Sequence, residues 1–359
     1  MGTPATVSEG DARAEWLREM PLSPWLDVGD PLAEDVVGVM RARRQPMADP
    51  LPRIRRLAAD GDRACRDFLR DIETPPEWAD FARMRLGGAM AHRHFGQYVF
   101  AVGHGALMTT FSSPDSAYIL TRTNRLERDV VRRLFESSEL FFGVLDTDEL
   151  RPGGSAWETC VRIRLLHTMI RLRLVADGWP LPGTPINALH TAAGPLFFGA
   201  MMLDRLRSLG ASISPAERDG FYMIWRYVTR LLGVPRELLG DTAAEQSVLD
   251  ARILPYTFDP DDNSRRLADV ALTGLSRMPV ARLLPRASHE VMARYLLGGD
   301  RADAMGIPAH RLGTAVMVVL ALGLRPYGFV QRLPVVAPRL ERFGRRCLRD
   351  LRNAGPAGI

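Results

Sequence analysis

One stretch limits what this chain can fold into more than any other: residues 155–175, SAWETCVRIRLLHTMIRLRLV. Wound at about 3.6 residues per turn, it lines up Cys160, Ile163, Arg164, His167, Ile170, Arg171 and Leu174 along one side. That side is apolar except for one imidazole, with a guanidinium about one turn before it and another about one turn after. Such a helix can be buried only where the fold supplies partners for all three polar groups, because an unpaired buried charge is strongly unfavourable.

Two readings of the three residues stay open at this level. In one, His167 is a hydrogen-bonded core histidine and Arg164 and Arg171 pair with acids on neighbouring helices, as buried arginines usually do. In the other, His167 is the proximal ligand of a haem iron, and the arginines hold the propionates through charge-assisted hydrogen bonds worth roughly 1.5–3 kcal/mol each. Periodicity does not choose between them.

The remaining text excludes several chemistries. The 359 residues contain no lysine, so all 47 basic residues are arginines. That removes a Schiff-base lysine, a phosphate-loop lysine and an amine ligand for iron. The net charge of +5 does not point to nucleic acid, because the arginines are interleaved with acids, as in RLERDVVRRLFE, and read as solvated helix faces. Cys65, Cys160 and Cys347 stand alone, with no CxxC pairing. They fit a reducing compartment without disulfides or a zinc site, and a cytoplasmic setting is expected. The start, MGTPATVSEGDARAEW, has neither a basic opening nor a continuous apolar core, so no signal peptide or anchor is expected. The most apolar run, residues 315–324, is only about half the ~20 residues a membrane span needs, and a buried helix is expected there.

In order, residues 1–30 read as an irregular arm with a short helical piece, and residues 31–352 as a single all-α domain, with a flexible tail at 353–359. Residues 31–44 carry a proline first, acids early and arginines late, which is helix polarity. A helix is expected over 51–71, stopped by Pro75 and Pro76. Gly87 and Gly88 read as a break between two helices, and small residues near 96–105 would let a neighbouring helix or flat ligand come close. His92 and His94 are two apart and cannot clamp a metal as an i, i+4 pair would. Helices follow at 114–120 and 126–145, and a loop at 146–155 leads to the His167 helix. Ser214, Pro215 and Glu217 form a capping box with a proline start. Helical blocks with loops continue to the C-terminus, and strands are hard to find. No glycine-rich phosphate loop, GxSxG or HExxH appears, which leaves the 155–175 helix as the strongest chemical signal.

Arg164-x-x-His167-x-x-x-Arg171, preceded by RRLFESSELF and followed by PIN, a long apolar helix, DRLRSLG and WRYVTRLLGVPRELL, resembles the rubber oxygenase / MpaB family of haem proteins. The resemblance covers roughly residues 75–330. It implies an all-α fold with a globin-like core around a b-type haem, His167 as the proximal ligand and Arg164 and Arg171 in its surroundings. The family's Arg-x-x-x-Thr element on an earlier helix is matched by Arg133 and Ser137, one helical turn apart. This chain departs from the family in two places: Glu136 stands where a lysine precedes the family's threonine, and no acid aligns with its distal glutamate, where Ala117 and Tyr118 fall with Asp115 close by.

The expected activity is a haem-dependent oxygenation with O2 of an apolar, alkene-containing isoprenoid or polyketide-like molecule. Ser137 and Arg133 would stabilise charge on bound oxygen, and the substrate space would be lined by Phe135, Phe141, Phe197, Phe198 and Met202. Glu136, in a dry pocket, would have a raised pKa and serve as the base; on the surface it would do nothing for catalysis. The distal site is either open or closed by a residue such as His104 or His190. The alternatives are a helical binding protein that keeps the fold without haem, and a haem-based gas sensor without turnover.

Overall fold

The computed structural model describes residues 9–122, 130–278 and 283–353, with the side chains at 9–12, 131, 133, 135, 137 and 353 outside that description. Among the described residues every regular element is helical. The N-terminal half comprises α1 (Glu9–Glu19), α2 (Pro31–Ala42), α3 (Leu51–Ala59), α4 (Arg63–Glu73), α5 (Phe81–Arg93), α6 (Phe95–Ala101), α7 (Leu107–Phe111), α8 (Pro114–Arg122) and α9 (Val130–Gly143). The central part follows with α10 (Ser155–Ala176), α11 (Ala188–Thr191), α12 (Met201–Ser208) and α13 (Pro215–Leu231). The C-terminal part contains α14 (Ala243–Thr257), α15 (Asp262–Leu275), α16 (Arg286–Leu297), α17 (Gly299–Ala304), α18 (Arg311–Val330) and α19 (Ala337–Asn353). One-turn π-helices at Val102–Ala106 and Pro195–Ala200 interrupt this pattern.

Local chemistry starts most of these helices. Asp30 caps α2 by accepting from Ala33 N at 3.2 Å, with Pro31 at the first position. Ser214 and Glu217 close the capping box of α13. Residues 51–71 form two helices and not the single one expected: Asp62 caps α4 through Cys65 N at 3.1 Å, and Gly61 turns the chain at φ +98°.

The expected break at Gly87 and Gly88 is absent, and α5 runs through both residues. The glycines are there for packing. A Cβ at Gly87 would overlap the backbone of Phe221, one at Gly88 the carbonyl of Leu145, and one at Gly220 the carbonyl of Arg83. The α5 and α13 backbones therefore meet directly, which only glycine permits. Trp157, Phe68, Tyr98, Phe221 and Trp225 fill the core around this crossing.

Residues 9–30, expected as a loose arm, are docked. Leu17, Met20 and Leu22 sit in a second apolar cluster with Leu189, Phe197, Leu249 and Ile253. Arg252 Nη2 donates to Met20 O at 2.6 Å. The buried helix expected at 315–324 is also corrected: the run lies within α18, Arg311–Val330, which is largely exposed.

Candidate functional site

α10 is one unbroken helix of 22 residues that carries His167 in its middle. Its buried stripe runs through Trp157, Cys160, Val161, Arg164, Leu165, Thr168 and Arg171. His167 lies at the edge of that stripe, with Ile163 one turn before it and Ile170 one turn after. All three remain partly accessible.

The two arginines fix this helix. Arg164, 2% exposed, donates from Nε to Asp30 Oδ2 at 2.6 Å and from Nη2 to Asp30 Oδ1 at 2.9 Å. Its Nη1 donates to Asp71 Oδ2 at 2.6 Å, and Arg230 pairs with the same carboxylate. Burial pushes the Asp71 carboxyl up, but Arg230 and Arg164 outweigh it and hold the group below its ordinary value. Burial alone would lower the Arg164 pKa; the two aspartates reverse this and raise it. Arg171 donates from Nε to Pro185 O at 3.1 Å, from Nη2 to Ile186 O at 2.6 Å and from Nη1 to Glu34 Oε1 at 3.1 Å. Both guanidiniums are held by protein partners, as in the first of the two readings. A fully buried cation needs such partners whatever else the site binds.

His167 is different. Its Nδ1 is buried without a hydrogen-bond partner, and no hydrogen bond to either ring nitrogen is found among the described residues. Burial, then the nearby Arg171 charge, pulls its pKa down to about 4, so the ring is neutral near pH 7. The residue is partly accessible, yet its ring is desolvated enough for burial to be the largest influence on its pKa.

The turn held by Arg171 leads to a second polar group. Ile186 adopts φ +51°, rare for a β-branched residue, and Asn187 then caps α11 through His190 N at 2.8 Å. His190 Nδ1 lies 2.9 Å from Asp115 Oδ2 at the start of α8, and Asn187 Nδ2 is 3.4 Å from the same oxygen. Asp115 thus belongs to a histidine pair and is no lone acid.

The other expected site residues separate. Arg133 and Ser137 share α9, but their side chains lie outside the described residues, as does that of Phe135. Glu136 does not face a dry pocket: its side chain is 43% exposed and pairs with Arg132 at 3.1 Å one turn away. This corrects its assignment as the base, which required a dry pocket. Phe141, Phe197 and Met202 are buried packing residues, while Phe198 is partly accessible and stacks 4.9 Å from Trp225. His104 is occupied: Nε2 lies 2.9 Å from His289 Nδ1, and Nδ1 3.2 Å from Phe100 O. Sequence reasoning missed Asp30, Glu34 and Asp71, whose local text carries no sign of partners on α10.

The family model described as "ER-bound oxygenase mpaB/B'/Rubber oxygenase, catalytic domain" matches residues 91–325. Over 253 residues the chain is 22% identical to the rubber oxygenase of Streptomyces sp. (strain K30), covering 67% of this chain and 60% of that protein's length. The solved structure of latex clearing protein LCP in the closed state superposes with a TM-score of 0.68 at 18% identity, covering 92% of this chain and 91% of that chain. That likeness establishes the all-α fold and agrees with the globin-like core.

Proposed function

The chain belongs to the family of mpaB/B' and rubber oxygenases, and from that premise we propose that it is a haem-dependent oxygenase acting with O2 on an apolar, alkene-containing small molecule. One observation carries the reading: a neutral imidazole in the middle of a rigid, buried helix, with Nδ1 unpartnered and apolar Ile163 and Ile170 on either side. Buried polar atoms in folded proteins are nearly always satisfied, and among the unpartnered histidines this one alone stands where the family resemblance puts the iron ligand.

The residues fit a haem at the imidazole. Among the described residues no three His, Cys, Asp or Glu side chains gather as metal ligands. A lone imidazole therefore holds iron only when the other donors come with the metal, as they do in a porphyrin. The chain has no Cys-x-x-Cys-His stretch for c-type attachment, and the reading carried over from the family resemblance is a b-type haem, held without covalent attachment. When bound, it supplies the activation of O2.

The chain's own residues do the rest. His167 offers a deprotonated ring nitrogen at the pH of the cell because burial and Arg171 disfavour its cation. Arg164 and Arg171 prevent α10 from rotating, since turning it would strip Asp30, Asp71 and Glu34 of their partners. Following the family resemblance, Arg133 and Ser137 are the distal hydrogen-bond donors. Asp115 holds His190 through Nδ1. The hydrogen bonds from Arg171 through residues 185–187 link that histidine to α10. Cleavage of a carbon–carbon double bond by O2 into two carbonyls balances without an external reductant, so the reaction requires no redox partner. Buried, free Cys65 and Cys160, whose thiols burial raises to about 12, are inert and suit a cytoplasmic setting.

The test is O2 consumption with a panel of isoprenoid alkenes and carbonyl detection in the products. Uptake matched by two carbonyl products per O2 supports an oxygenase. A protein that binds haem and the alkene but consumes no O2 is a carrier or sensor.

A further inference from the structure

From Ala304 to Leu340 the sequence contains no acid and four arginines: Arg311, Arg325, Arg332 and Arg339. The structure turns this text into α18 and the bend after it. The helix touches the body along one narrow line. Gly313 lies against Val291, Ala321 is buried, and Gly328 fits under the Gly210 backbone. The rest of its circumference is apolar and uncovered: Leu312 is 81%, Val319 68% and Phe329 66% exposed, with Val316, Leu320, Leu322 and Tyr327 between them. The exposed apolar surface continues to Leu333 and Val335, and to Leu283 and Leu284 beside the foot of the helix. Contiguous apolar surface on this scale marks an interaction site.

We propose that α18 is a membrane-docking element that lies in the interface of an anionic phospholipid bilayer. Two features select lipid over a second protein. A protein partner covers one face of a helix, whereas here the apolar residues surround every side that the body leaves open. The charge pattern is also that of a lipid contact. No charge interrupts residues 312–324, and Arg311, Arg325 and Arg332 stand at the two ends, where guanidiniums can reach phosphates while their stems stay in the apolar layer. At about 1.5 Å per residue the helix is about 30 Å long, but it is held to the body at Gly313 and at Gly328. It therefore lies along the surface and does not cross. An apolar groove of about 580 Å³ between α16 and α18, lined by Leu284, Val291, Met292, Val316, Met317 and Leu320, opens beside it and can receive an acyl or isoprenoid chain. This inference is independent of haem.

The test is co-sedimentation of the full chain with large vesicles of phosphatidylcholine containing about one third phosphatidylglycerol, and with vesicles of phosphatidylcholine alone. The wild type should partition onto the anionic vesicles. The double variant V319E/L320E, at positions 68% and 56% exposed in the free protein, should lose at least about tenfold in partitioning while keeping its circular dichroism. R325Q/R332Q should lose about 25-fold, at about fivefold per basic residue near the surface. Absence of wild-type binding to either vesicle, or equal binding by V319E/L320E, overturns the proposal. So does a lipid-free dimer that V319E/L320E dissociates, because a second copy would then be what covers the helix.

Discussion

α10 and α18 invert the usual distribution of residues in opposite directions. α10 buries two arginines, while α18 exposes nearly all of its leucines, valines and aromatics. In α10 the inversion is stable because each guanidinium meets carboxylates or carbonyls, and it leaves one group, His167 Nδ1, with nothing. In α18 no such compensation exists among the described residues. An exception to the burial rule is thus informative only after its partners are counted, and in each helix the unmet group marks where something else binds.

Acid should damage the interior most. His92, His94 and His104 are buried and neutral, their pKa values lowered to about 4, 4 and 3, chiefly by desolvation. The unfolded chain takes up protons below about pH 6.5 and the folded chain does not, so stability falls from that pH downward. Each group contributes a loss on the order of 3 kcal/mol by pH 4. Asp250, raised to about 6 by burial, and Asp146, also raised by burial, work in the opposite direction, but two carboxyls do not offset three histidines. Melting temperatures measured from pH 7 to 4 should drop steeply below 6.5; a flat profile contradicts the buried neutral histidines.

Arg164→Ala removes the partner of two carboxylates and should cost about 3–5 kcal/mol in urea unfolding. A loss under 1 kcal/mol would mean that Asp30 and Asp71 find other partners. Gly87→Ala inserts a methyl group where α5 meets the α13 backbone, and should cost about 1–3 kcal/mol through overpacking. Glu136→Gln should change stability by less than about 0.5 kcal/mol and leave turnover intact, since its partner is an exposed arginine one turn away. A large fall in turnover would return Glu136 to the mechanism.

What was legible in the sequence was local. The capping box of Ser214 and Glu217 needs only three residues of text, and it formed as expected. The His167 helix was legible because 21 residues of unbroken periodicity outweigh any single propensity. The partners of its arginines were not, because Asp30 lies 134 residues away and its own neighbourhood reads as a helix cap. Gly87 was misread because glycine inside a helical pattern signals either a break or a close approach, and only the position of Phe221 decides. The apolar run in α18 was placed inside because composition reports dislike of water and not what replaces it.

The central claim rests on His167, and the visible spectrum of the purified protein tests it most directly. After expression with haem supplementation, the wild type should show a Soret band in stoichiometric yield, and His167→Ala should lose it while its far-ultraviolet circular dichroism stays helical. A wild-type protein that remains colourless, or a His167→Ala variant that keeps the band unchanged, contradicts the account.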